Sequence, residues 1–151
     1  MTDVVDAATR SKMMSGILGK NTKPEIIIRK ALFAKGYRYK LHDKKLPGKP
    51  DLVLKKYSTV IFIHGCFWHG HDCHLFKWPK TRPEFWRKKI TRNMEKDQEV
   101  IKQLKKEGWK IITVWECAIK GKGKHPLETI LQRITKALQE HRSVTIKGRV
   151  V

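Results

Sequence analysis

The chain has 151 residues, enough for one domain with a core that needs no covalent staples. Against 14 Asp and Glu stand 34 Lys and Arg, a formal net charge of +20. That excess is spread from Arg10 to Arg149 and exceeds what solubility requires, so it points to a polyanionic partner, nucleic acid first. An anionic membrane is the weaker rival, because no basic amphipathic stretch ends in a hydrophobic anchor and no apolar run approaches transmembrane length.

The acidic start, Met1-Thr2-Asp3-Val4-Val5-Asp6, lacks the apolar segment of a signal peptide, so the expected location is the cytoplasm. Residues 1–21 are polar and small and read as an arm that orders against a partner. Thr22-Lys23-Pro24-Glu25 has capping-box spacing with proline in the first turn, and a helix runs on through Leu32 and Phe33 until Gly36 stops it. Tyr37 to His42 alternates as a half-buried strand does. Leu46-Pro47-Gly48-Lys49-Pro50 is a turn. Asp51–Leu54 and Thr59–Ile63 form a hairpin around Lys55-Lys56-Tyr57-Ser58. A loop with Pro79 and Pro83 precedes a long helix from about Glu84 to Glu107, which Gly108 ends. Lys110–Trp115 is the last core strand, Leu127–Glu140 a terminal helix, and residues 142–151 are expected to be a frayed tail. The globular part is residues 22–141. The order α-β-β-β-α-β-α, without internal repeat, predicts an α+β or α/β-like sandwich with a mixed central sheet flanked by helices.

The densest chemistry lies in His64-Gly65-Cys66-Phe67-Trp68-His69-Gly70-His71-Asp72-Cys73-His74, directly after the apolar run Val60–Ile63. Three cysteines, an odd number in a chain expected to be cytoplasmic, argue against disulfides and for a metal. If Lys110–Trp115 lies beside Thr59–Ile63, Cys117 and Cys66 leave the same end of the sheet. Cys66, His71, Cys73 and Cys117 then make a closed tetrahedral set of the kind structural Zn²⁺ accepts, and His74 is the alternative to His71. Ordinary buried cysteines are the bland alternative.

Pro50-Asp51 opens a hairpin strand in a basic protein, as in the first half of the PD-(D/E)xK nuclease pattern, where the aspartate anchors Mg²⁺. The second half fails: the next strand reads Ile61-Phe62-Ile63-His64, with neither carboxylate nor lysine. His64 and His69 supply what is missing, since either imidazole can position or deprotonate a water near neutral pH, and Asp97 on the long helix can orient one of them. Glu25 carries two readings, a capping residue or a carboxylate that holds metal-bound water.

Taken together, the sequence resembles the very-short-patch-repair (Vsr) endonucleases, the strand-specific nickases of T·G mismatch repair in bacteria. The likeness runs from Thr9-Arg10-Ser11-Lys12 to Val114-Trp115-Glu116-Cys117. It is carried by Leu46-Pro47-Gly48-Lys49-Pro50-Asp51, by Ile61-Phe62-Ile63-His64-Gly65-Cys66-Phe67-Trp68-His69, and by Phe85-Trp86. It implies a variant restriction-endonuclease fold with a structural zinc and a Mg²⁺-dependent active site. Asp51 would ligate magnesium together with the backbone carbonyl at Ile63, a position where family members can carry Thr. His69 would be the general base, paired with Asp97, while Glu25 and His64 hold metal-bound water near the leaving oxygen. Gly70 stands where a histidine can occur and is expected to loosen the loop.

The same resemblance implies that Phe67, Trp68 and Trp86 form an aromatic wedge entering the base stack beside the mismatch, where unstacking is cheapest. Core packing of two of these rings is the alternative. Met13, Met14 and Ile17 on the arm would press on the opposite groove. The expected activity is a nick 5′ of the thymine in a T·G pair, made on double-stranded DNA by a monomer in the nucleoid. A restriction-like nuclease without mismatch preference and a non-catalytic zinc-containing DNA-binding module are the rival readings. Flanking-sequence preference and coupling to a methyltransferase or a MutL-type repair protein stay open at this level.

Overall fold

The computed structural model describes residues 21–150, so the arm, with Met13, Met14 and Ile17, lies outside the described residues. Among the described residues three α-helices, α1 (Lys23–Ala34), α2 (Pro83–Lys106) and α3 (Leu127–Glu140), surround a five-stranded sheet. Its strands are β1 (Lys40–Leu41), β2 (Leu52–Leu54), β3 (Thr59–His64), β4 (Lys110–Trp115) and β5 (Val144–Ile146), and they lie side by side in chain order. β1, β2 and β3 are antiparallel; β3, β4 and β5 are parallel. The mixed sheet expected from sequence is therefore present, with one strand more.

Strand alternation sorts the core into two layers. Leu52, Leu54, Ile61, Ile112 and Val114 face α1 and α3, where they bury against Ile28, Leu32, Ile130, Ile134 and Leu138. The alternate residues Val53, Val60, Phe62 and Ile111 face α2 and pack on Leu104. Each fully buried Leu or Ile contributes about 1.5–3 kcal/mol of transfer free energy, and twelve such side chains are fully enclosed. α3 displays this pattern most plainly, since Ile130, Leu131, Ile134, Ala137 and Leu138 recur at helical spacing and all are buried.

Two boundaries differ from the sequence reading. The strand expected over Tyr37–His42 narrows to Lys40–Leu41. Tyr37 and Tyr39 pack against the α1 and α3 layer instead, and the Tyr39 hydroxyl donates to the Arg29 carbonyl at 2.7 Å, so their alternation comes from helix contacts and not from a ladder. The tail is not frayed: Ile112, Thr113 and Val114 pair with Val144, Thr145 and Ile146, and Ile146 is fully buried. Three residues are too few for period-two patterning to announce a strand.

Topology then decides where the chemistry sits. The C-terminal ends of β1 and β3, the N-terminal end of β2 and the C-terminal end of β4 all meet at one edge of the sheet. His42, His64, Asp51 and Cys117 follow or precede those ends. The His64↔Trp115 register carries Cys66 and Cys117 out together.

Candidate active site and metal-binding loop

Asp51 stands at the start of β2, and its Oδ2 accepts the Ile63 N–H of β3 at 2.7 Å. Burial pushes this carboxyl up to about 7 against the pull of that hydrogen bond, and the adjacent Glu25 carboxylate adds to the rise. Glu25 comes from the first turn of α1 and is 1% exposed. The capping reading of Glu25 has direct geometric support. Its N–H donates to Thr22 Oγ1 and its Oε1 accepts the Asn21 N–H, which is helix capping shifted by one residue. The same carboxylate receives Arg29 Nη1 at 2.6 Å and His42 Nε2 at 2.9 Å. Glu25, His42 and Asp51 bring ligand atoms within 4.8 Å of one another.

On the neighbouring side, His64 and His69 stack face to face, with ring centroids 3.8 Å apart and planes 7° apart. His69 Nδ1 lies 2.6 Å from Asp97 Oδ2. An ionised carboxylate only accepts, so Nδ1 carries the proton and Nε2 is left to take one. His64 is buried, which holds its imidazole well below its ordinary titration range, with the neighbouring His69 reinforcing the effect. The ring is neutral at physiological pH. Its Nδ1 is buried and has no hydrogen-bond partner among the described residues, although a pocket of about 60 Å³ touches His64, His69 and Asp97.

The loop after β3 is held by α2 on one side and by Glu116, just after β4, on the other. Asn93 of α2 donates to the Trp68 carbonyl at 2.9 Å, and the Cys66 N–H donates to Glu116 Oε1 at 3.2 Å. Gly70 does not loosen it. At φ +63° its Cα is pressed on α2, and an added Cβ would come within 2.5 Å of Met94 Sδ, so glycine is what lets the loop approach the helix.

Cys66, His71, Cys73 and Cys117 converge with ligand atoms all within 4.8 Å of one another, a set able to hold a metal ion. His71, not His74, completes it: His71 Nδ1 is 3.6 Å from Cys117 Sγ, whereas His74 Nε2 is buried without a partner among the described residues. Burial raises the Cys66 and Cys117 thiols above their ordinary range, and a cation among them reverses that preference. Backbone donors already point at the sulfurs: Cys117 N–H to Cys66 Sγ at 3.3 Å and Gly148 N–H to Cys117 Sγ at 3.2 Å. The segment after β5 thus closes on this cluster, since a Cβ on Gly148 would meet the Cys117 carbonyl oxygen at 2.3 Å. Trp115 links the two centres, stacking on His71 at 4.2 Å and presenting its edge to His64 at 5.2 Å.

Phe67, Trp68 and Trp86 meet one another at centroid separations of 5.1, 5.4 and 5.8 Å. None belongs to either buried layer; all three are half-buried and pack on one another. Phe76 and Trp78 extend the cluster into an aromatic shelf that the sequence did not reveal. Beside it lies a cavity of about 970 Å³, bordered by Trp68, His69 and the lysines Lys23, Lys120 and Lys124. Of the other residues missed, Trp115 and Glu116 lie inside a motif already singled out. His42 had no local signal at all.

Comparison with known proteins places the chain. The sequence profile described as DNA mismatch endonuclease Vsr matches residues 2–75. The type II nicking enzyme V.NmeAIP of Neisseria meningitidis is 51% identical over 122 residues, 81% of this chain and 87% of that protein. The DNA mismatch endonuclease Vsr of Escherichia coli is 46% identical over 134 residues, covering 89% and 86% of the two chains. The type II nicking enzyme V.XorIIP of Xanthomonas oryzae is 42% identical over 134 residues, covering 89% and 97%. With this identity over nearly the whole length, the chain belongs to the Vsr family of DNA mismatch endonucleases.

Proposed function

We propose that this protein nicks one strand of double-stranded DNA 5′ of the thymine in a T·G mismatch, with Mg²⁺ as catalytic cofactor and Zn²⁺ as structural ion, on a restriction-endonuclease-like scaffold. The observation that carries the reading is the meeting of two half-sites at one sheet edge. Asp51 and Glu25 lie on one side and the His64–His69–Asp97 group on the other, and the His69 loop also bears the aromatic shelf.

The donor set fits a magnesium ion: Asp51 and the Ile63 carbonyl offer the oxygen ligands it prefers, with the buried Glu25 carboxylate alongside. Bound there, the ion supplies Lewis-acid stabilisation of the attacking and departing oxygens. His69 Nε2, freed by the Nδ1–H donated to Asp97, takes the proton of the attacking water. Neutral His64 and Glu25 hold water beside the leaving oxygen. The three sulfurs and the His71 nitrogen suit zinc. The 3.6 Å separation of Cys117 Sγ and His71 Nδ1 matches the edge of about 3.6 Å that tetrahedral zinc bond lengths give.

Phe67, Trp68 and Trp86 enter the stack at the mismatch, and the net charge of +20 holds the phosphates. A single copy suffices for an asymmetric mismatch, and coupling to a MutL-type protein is compatible with it. Incubation of the protein and Mg²⁺ with matched T·G and C·G duplexes tests the reading. A nick confined to the thymine strand of the T·G duplex is expected; equal cutting of both duplexes, or of neither, would sink it.

A further inference from the structure

We propose that His42 is a positioning residue of the magnesium site, holding the Glu25 carboxylate in line with Asp51. The inference rests on the magnesium reading above and extends it to a residue with no other task in the fold. His42 follows the two-residue strand β1, and both of its polar ends are committed to the site. Its backbone N–H donates to the Asp51 carbonyl at 3.1 Å. Its side-chain Nε2 is 2.9 Å from both Glu25 oxygens. One residue therefore ties together the start of the strand that carries Asp51 and the carboxylate that stands over it.

The geometry is costly to maintain. His42 has φ +47°, in the left-handed region that side-chain-bearing residues rarely occupy, and such conformations persist where surroundings over-determine them and cluster at functional sites. The acceptor-only carboxylate fixes the proton on Nε2, so His42 donates to Glu25 through that nitrogen. Arg29 approaches Glu25 from another side, with Nη1 at 2.6 Å from Oε2 and 2.8 Å from Asn21 Oδ1. Two donors from different elements then leave a buried carboxylate with little rotational freedom. A capping role needs neither: Thr22 and Asn21 already satisfy that function. Partners that orient a metal-site carboxylate typically change metal affinity or activity by about 10- to 100-fold when removed.

The test compares His42→Ala, His42→Gln and Asp51→Asn with wild type, using Mn²⁺ as the probe ion. Mn²⁺ uptake by zinc-loaded protein is followed by electron paramagnetic resonance without DNA, and nicking of a T·G duplex is followed as a function of Mg²⁺. His42→Ala should weaken Mn²⁺ uptake and raise the Mg²⁺ needed for half-maximal nicking, each by about 10- to 100-fold. T·G duplex affinity measured without divalent cation should be unchanged. His42→Gln, whose amide can still donate to Glu25, should recover most of both. Wild-type metal uptake and nicking by His42→Ala would overturn the proposal, as would His42→Ala and His42→Gln losing uptake equally. Failure of the underlying reading is separately visible: wild type that takes up Mn²⁺ no better than Asp51→Asn removes the magnesium site itself and the His42 role with it.

Discussion

Replacing Asp51 by Asn should abolish nicking and at the same time stabilise the magnesium-free protein in a pH-dependent way. In the folded protein burial and the Glu25 carboxylate raise the Asp51 carboxyl from 3.8 to about 7. The native state therefore keeps this proton where the unfolded chain has lost it, so stability associated with the protonated form is present in acid and is lost as pH rises toward 7. The Cys and His side chains proposed to hold zinc lose metal to protons as pH falls, so the useful window runs from about pH 5.5 to about pH 8. Across it, wild type loses roughly 2 kcal/mol relative to Asp51→Asn, at about 1.4 kcal/mol per pH unit up to 7 and nothing beyond. For a chain of this length that widens the gap in Tm by about 4–8 °C. The amide still accepts the Ile63 N–H, so the comparison isolates the charge. Thermal unfolding by circular dichroism in zinc-containing, magnesium-free buffer measures it, and millimolar Mg²⁺ should restore wild type but not the variant. A gap that stays constant over the window, or narrows with rising pH, would refute the reasoning.

Cys117→Ser should cost the protein its stoichiometric zinc and lower Tm sharply, because the binding free energy of a structural zinc is largely folding free energy; elemental analysis with a melting curve checks both, and full zinc retention contradicts the assigned ligand set. Phe67→Ala combined with Trp68→Ala should reduce the preference for T·G over C·G duplexes by about 10- to 100-fold, given about 1–3 kcal/mol per stacked base. Tm should fall modestly, since both rings are half-buried and pack on Trp86, so the ratio is read at a temperature where the variant stays folded. Competition nicking with both duplexes in one tube reads the ratio, and an unchanged ratio removes the wedge.

Much of the site was legible because it is local. Cys66, His71 and Cys73 fall within eight residues, and Asp51 and His64 flank one hairpin, so spacing alone grouped them. The α3 boundaries and the hairpin were legible for the same reason, since helical and alternating periodicities are properties of short windows. Tyr37 and Tyr39 misled because a ring packed on a helix alternates as a strand does. Gly70 misled too: a missing side chain suggested slack, whereas the close approach of α2 at Met94 makes it a tight contact.

The sequence by itself determined the partner class, through charge that no fold can hide, and the inventory of ligands and aromatics. Tertiary structure alone decided which of them meet. Parallel register between β3 and β4 brings Cys117 to Cys66 across fifty intervening positions. The short strand β5 places Gly148 against Cys117, and β1 delivers His42 to Glu25 and Asp51. It also chose His71 over His74. Such pairings depend on strand order and register, which arise from burying both sheet faces at once, and no local pattern encodes them.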